Sequence, residues 1–336
     1  MTESIRRFLG ASLAVLLTPV LGLQAQDLNV YRGTQVPPEV ERVYEHGLDY
    51  LVKAQGDDGA FPGNYGHEPA TAALTMLAMF AHGDDPNYGP YAKPIKRCLD
   101  YLLKNTDPAT GYIGSSMYNH GFATLALAEA YGAVQDERIG PALKKAVDLI
   151  LTSQEKNRFK AWRYSPDSKD ADSTVSGACF VALIAARNAG LRVPDNAIED
   201  ALKFYTDCQN PGSGGIGYTP GSGANGMATT AIGVAVYAYA RKKDQPTFVK
   251  ALGALKKADD DALGGYPFYG EYYASQALFQ SDVKAWESWN GRRVQKLADT
   301  QNDDGSWDAS LGAPLSTAFG LLSIALSYRY LPIYER

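Results

Sequence analysis

Residues 172–186 read DSTVSGACFVALIAA, an aspartate and two hydroxyls followed by a run that is small or apolar on every side of a helix. A surface helix keeps a charged face; this one has none beyond its first turn, so other helices must surround it. Five more stretches share the build, a polar loop entering small and apolar residues with a hydroxyl near the start. They are His67–Phe80 (HEPATAALTMLAMF), Asn119–Leu127 (NHGFATLAL), Asn225–Tyr237 (NGMATTAIGVAVY), Glu271–Phe279 (EYYASQALF) and Leu315–Leu326 (LSTAFGLLSIAL). With Thr71, Thr124, Ser176, Thr229, Ser275 and Thr317 aligned, the steps are 53, 52, 53, 46 and 42 residues. Spacing of this size and regularity marks a repeat architecture.

Between these stretches lie segments with one charged face and one apolar face: Val40–Ala54, Ala92–Lys104, Pro141–Ser153, Asp195–Cys208, Pro246–Lys257 and Trp286–Thr300. Such segments suit helices with one side in water. The unit is therefore outer helix, loop, inner helix, six times over. Six hairpins that must each bury an inner helix close into a ring, and the expected fold is all-α, a single α/α toroid or (α/α)6 barrel. No linker interrupts the repeats, so one domain is expected over 26–336.

The loops carry a second pattern. Gln55, Asp58-Gly59 and Phe61 follow the first outer segment, and Gln301, Asp304-Gly305 and Trp307 follow the last. Asp-Gly makes the turn, the aromatic fills the gap between hairpins, and the amide is expected to bond carbonyls left free at its own helix end. The pattern is partial at Gln209/Gly215/Tyr218 and has decayed at Asn105/Gly111/Tyr112, Gln154/Trp162 and Gly265/Tyr266. In these Gln-to-Trp repeats, over nearly the whole chain after its N-terminus, the sequence resembles the terpenoid cyclase and protein prenyltransferase superfamily. That resemblance implies a toroid and an isoprenoid-like ligand.

Arg6 and Arg7 precede an uncharged apolar run, Phe8–Leu23, and then Leu23-Gln24-Ala25. This reads as a signal peptide over 1–25, too short to span a membrane, and predicts a protein exported to the periplasm or secreted, with no transmembrane anchor. Cleavage removes Glu3, Arg6 and Arg7, a net of one positive charge, and takes the formal charge from −5 to −6. No basic run remains, which argues against nucleic acid as a partner. Cys98, Cys179 and Cys208 fall on separate predicted helices without CxxC spacing, which argues against a disulfide framework and structural zinc. Zinc-dependent prenyltransferases of the superfamily use an Asp-x-Cys pair that is not found here; no metal and no cofactor are expected.

In a ring of this kind the starts of the inner helices and the loops before them meet at one mouth. Those loops supply Glu68, His67, His120, Asp170, Asp172 and Glu271, together with Tyr118, Trp162, Tyr164, Tyr218, Tyr269 and Tyr272. Acids and imidazoles among aromatic rings at one end of a barrel are the pattern of a ligand site. Asp172 also stands where a helix N-cap belongs, so capping is its alternative role.

The segment Asp170-Ala-Asp172-Ser-Thr174 resembles the DxDD-T motif by which class II terpene cyclases protonate a double bond or epoxide. The resemblance implies that Asp172 matches the middle, acidic aspartate and Asp170 the first; Ser173 stands in place of the third. Three functions follow as expectations. A cyclase-like or prenyl-binding protein would use Asp172 as acid, with a partner or membrane completing a pocket that one ring leaves half open. A carbohydrate-active hydrolase or lyase would pair carboxylates such as Glu68, Asp172 or Glu271 with Tyr or His, with rings for sugar stacking. A non-catalytic toroid would present the same mouth to a protein or glycan.

Overall fold

Inner and outer helices alternate along the chain. The computed structural model describes residues 36–64, 66, 68–223, 226–258 and 264–334, and the predicted signal peptide lies outside them. The outer helices are α1 (Pro38–Ala54), α3 (Ala92–Lys104), α5 (Ile139–Lys156), α7 (Asp195–Asp207), α9 (Pro246–Leu255) and α11 (Val283–Thr300). The inner ones are α2 (Pro69–His82), α4 (Met117–Ala130), α6 (Ser173–Asn188), α8 (Met227–Tyr239), α10 (Pro267–Ser281) and α12 (Ala313–Ile324). Among the described residues there is no strand, only isolated bridges such as Thr106 to Ile113. Each inner helix packs on the next, and α12 returns to α2, so the ring closes. Residues from Val36 onward form one compact unit, a single α/α toroid.

The apolar surface predicted for the inner helices is buried all round: every residue of α6 from Ser173 to Ala186 is in the interior. The outer helices bury one stripe, as in α3, where Ile95, Cys98, Leu99 and Leu102 turn inward. Inside the ring, Phe122, Tyr272 and Phe319 meet ring to ring, with centroids 5.5 to 6.5 Å apart. Buried Leu331, Ile333 and Tyr334 extend the core, and Gln280 donates to the Tyr334 carbonyl at 3.1 Å.

The glutamine motif joins repeats, with geometry that corrects the sequence expectation. The amides do not cap their own helices. Gln301 Nε2 donates to Gly305 O and to Val43 O, each at 3.0 Å, and Val43 is on the first outer helix. Gln209 bridges Gly214 O (2.9 Å) to Thr247 O (2.8 Å), and Gln154 bridges Lys160 O (2.9 Å) to Ala197 O (2.7 Å). One amide has two donors, so it ties its own loop to the next outer helix, and Gln301 completes the ring. The glycine of the turn has to be a glycine. Gly59 and Gly305 have φ of +85° and +92°, and a Cβ at either would sit 2.1 Å from a carbonyl of the neighbouring outer helix.

In three of the inner helices a hydroxyl near the start also has a structural task. Thr317 Oγ1 accepts from Trp307 N and Ser176 Oγ from Trp162 N, both at 3.0 Å. Thr230 accepts from Ile216 N at 3.1 Å. These side chains pin the loop that precedes the helix. In the second repeat an imidazole does it, with His120 Nδ1 accepting from Ile113 N at 3.2 Å.

Candidate functional site

The first turns of all six inner helices, with the loops before them, surround a cavity of about 640 Å³. Ala70 and Leu74 come from α2, Tyr118, Asn119 and Phe122 from α4, and Thr174 from α6. Ala228 comes from α8, Tyr269 from α10, and Leu315 and Phe319 from α12. Glu68, Ser115, Ser116, Tyr164, Tyr218, Gly265, Tyr266 and Leu311 are the loop contributions. Glu68 is the single charged side chain among these lining residues, and most of the wall is carbon.

Of the residues proposed from sequence, Glu68, Tyr118, Tyr164, Tyr218 and Tyr269 therefore share one concavity. The Tyr164 and Tyr218 hydroxyls bond each other at 2.7 Å, and the Arg163 guanidinium lies over both rings, 5.2 and 5.4 Å from their centroids. Tyr118 donates to Thr174 Oγ1, and Tyr269 OH donates to Thr174 O at 3.4 Å. Burial pushes the Tyr118 phenol well above its ordinary range, with nearby Asp172 adding to the effect, so it stays protonated and a donor.

Asp172 is behind this wall and fully buried. Its Oδ1 accepts from Thr174 N (2.9 Å), Val175 N (2.9 Å) and Thr174 Oγ1 (2.6 Å), a helix cap reinforced by a hydroxyl. Among the described residues Oδ2 has no hydrogen-bond partner, and Arg163 Nε stands 3.9 Å from it. Burial raises the carboxyl pKa, against the opposing pull of the Thr174 hydroxyl, the two backbone amides and Arg163. Asp172→Ala should then cost about 1–2 kcal/mol by loss of the cap. Asp172→Asn keeps the cap acceptor and removes the titration. A carboxyl with a raised folded-state pKa contributes stability at low pH that is lost as pH rises through that pKa. The melting temperature of Asp172→Asn relative to wild type should therefore climb as pH rises above about 3.8 and then level off. A pH-independent difference would contradict the raised pKa.

The other sequence candidates lie elsewhere. Asp170 is exposed at the rim, 3.4 Å from Arg163 Nη1. His120 points away from the cavity: Nε2 meets Ala146 O of α5 at 3.0 Å while Nδ1 holds the loop. Its burial depresses the imidazole pKa to about 4. Glu271 faces the outer layer and meets Arg293 Nη1 of α11 at 2.5 Å in the interior. Trp162 is the loop aromatic of the third repeat, buried, with Nε1 donating to Ile150 O at 2.9 Å. Tyr272 is one turn deeper than Tyr269, among Phe122 and Phe319. His67 lies outside the described residues, as do Tyr65 and Asn225.

The apolar part of the wall, Leu74, Phe122, Leu315 and Phe319, was not singled out from sequence. In helices that are apolar on all sides, nothing in the residue pattern tells an axis-facing leucine from one facing a neighbouring helix. Among the described residues no three His, Cys, Asp or Glu side chains converge as metal ligands, and no helix is long and apolar enough to cross a membrane.

The chain belongs to the family described as a domain of unknown function (DUF6288), whose profile matches residues 40–308. No curated protein matches it. Among solved structures it is similar to a variant of the type II terpene cyclase MstE from Scytonema in complex with merosterolic acid A. The TM-score is 0.61 at 16% identity, over 88% of this chain and 98% of that one. It is also similar to the GH76A α-1,6-mannanase from Salegentibacter sp., with TM-score 0.63 and 11% identity over 86% and 99% of the two chains. A family 76 glycoside hydrolase from a bovine Bacteroides thetaiotaomicron strain gives 0.64 and 11%, over 87% of this chain and 78% of that one. At these identities the likeness is one of fold: an α/α toroid hosts both a terpene cyclase and glycoside hydrolases.

Proposed function

We propose that this member of the family binds an elongated, mainly apolar ligand of isoprenoid type in the mouth of the toroid, and meets it outside the cytoplasm after cleavage of residues 1–25. The observation that carries this is the wall of the 640 Å³ cavity, whose surface among the described residues is mostly carbon, from Leu74, Phe122, Leu315, Phe319 and tyrosine rings, with a few neutral polar side chains and one carboxylate. Apolar surface of this extent gains most from covering by another apolar body. A glycoside hydrolase needs two carboxyl groups flanking the scissile bond, and Glu68 is the lone acid among the described lining residues. Asp172 serves the helix, its Oδ1 occupied by three donors, so binding is favoured over acid-catalysed turnover.

Calorimetric titration of the chain from residue 26 with farnesol and with mannotriose tests this. Farnesol should bind and mannotriose should not. Leu315→Asp, at a partly exposed wall position, should weaken farnesol at least tenfold, since the ligand would desolvate a carboxylate. Binding of mannotriose in place of farnesol would overturn the proposal in favour of a glycan.

A further inference from the structure

Glu68 is the only charged side chain among the described residues that line the cavity. It stands immediately before α2, at the N-cap position, but its side chain does not cap that helix. It reaches instead to the start of α4. Asn119 Nδ2 donates to Glu68 Oε2, and Ser115 Oγ lies 3.1 and 3.2 Å from the two carboxylate oxygens. Asn119 is itself fixed, with its Oδ1 accepting from Ala70 N at 2.9 Å and its Nδ2 donating to Ser116 Oγ at 3.0 Å. The carboxylate is thus positioned by neutral donors on a rigid helix start. No Lys or Arg lines the cavity among the described residues, and Glu68 has no ion-pair partner among them.

An ionised carboxylate has about four lone-pair sites. These two donors, Ser115 before α4 and Asn119 on it, leave acceptor capacity over, mainly on Oε1, which among the described residues receives the Ser115 hydroxyl alone. The polar tips of four of the five described lining tyrosines have partners within the wall. Tyr118 and Tyr269 donate to Thr174, and Tyr164 and Tyr218 bond each other. An incoming head group therefore meets, among the described lining residues, a single carboxylate with acceptor capacity to spare in a wall mostly of carbon. A donor head satisfies it. An anionic head brings a second negative charge beside Glu68, and the cation closest to the tyrosine side of the wall, Arg163, is already matched by Asp170 at 3.4 Å.

We propose that Glu68 is the head-group anchor of the cavity and selects apolar ligands ending in a hydroxyl or ammonium over those ending in a phosphate. This rests on the apolar-ligand proposal above and narrows it to a ligand class. Prenyl alcohols and amines fit the site, and prenyl diphosphates do not.

The test holds the tail constant and varies the head. Farnesol, farnesylamine and farnesyl diphosphate are titrated into the chain from residue 26 and into its Glu68→Gln variant. In the wild type the alcohol and the amine should bind, and the diphosphate at least tenfold more weakly than the alcohol. Glu68→Gln removes the charge with little change of shape. It should weaken the amine at least tenfold and narrow the gap between alcohol and diphosphate by a similar factor. Equal wild-type affinity for alcohol and diphosphate would overturn the anchor, and so would a head-group ranking unchanged by Glu68→Gln. The wild-type ranking decides this even where the variant melts early. Failure of all three ligands to bind would instead remove the apolar-ligand proposal itself, and the anchor with it.

Discussion

Glu271→Ala should destabilise the protein by about 3–5 kcal/mol, the range for removing one partner of a buried ion pair. Glu271 and Arg293 are each about 3% exposed and meet at 2.5 Å between α10 and α11. The Arg293 guanidinium also lies 5.4 Å from the Trp289 ring centroid, where water does not reach it. Truncating the acid leaves a buried cation without its carboxylate. A whole domain is stable by only about 5–15 kcal/mol, so this single change removes a large part. The pair need not be net stabilising, because both charges lose their hydration. Glu271→Leu combined with Arg293→Met should therefore recover most of the loss. Denaturant unfolding of the two variants measures both effects. A cost below about 1 kcal/mol for Glu271→Ala would mean that water or another group replaces the carboxylate.

The second large effect is acid sensitivity through His120. The unfolded imidazole titrates near 6.5, and the buried one near 4. Between those values the unfolded state binds a proton that the folded state excludes, so stability is complete above 6.5 and falls as pH drops toward 4. The difference corresponds to about 3 kcal/mol. His120→Gln offers an acceptor toward Ile113 N and a donor toward Ala146 O without titrating, and should flatten this part of the pH profile. Asp172 slopes the opposite way as pH rises above 3.8, and comparing each variant with wild type at every pH separates the two. A profile for His120→Gln that parallels wild type would show that the imidazole titrates alike in the folded and unfolded states, against the depressed pKa.

Four of the inner-helix polar residues show where sequence runs out. Tyr118 and His120 are two positions apart on α4; Tyr118 lines the cavity and His120 faces α5. Tyr269 and Glu271 are two apart on α10, one lining the cavity and the other facing α11. A step of two residues turns about 200° around a helix, so neighbours in a loop-and-helix motif part company. Tyr272, three residues on from Tyr269, returns to the axis one turn deeper. The sequence places all of these at one level of the barrel and leaves their direction open.

What the sequence determined by itself was the architecture. The alternation of all-round apolar and one-faced segments, repeated with a hydroxyl at each inner start, admits a ring of six hairpins, and the segment bounds agree with the helices to within a few residues at most ends. The glycines of the Asp-Gly turns were legible for the same reason, since the local backbone demands them. Only the tertiary structure decided which polar side chains face the axis. On an outer helix the solvent side announces the rotation through its charges. An inner helix is packed on every side, and its azimuth is set by neighbours far along the chain, as where α12 packs on α2 to close the ring.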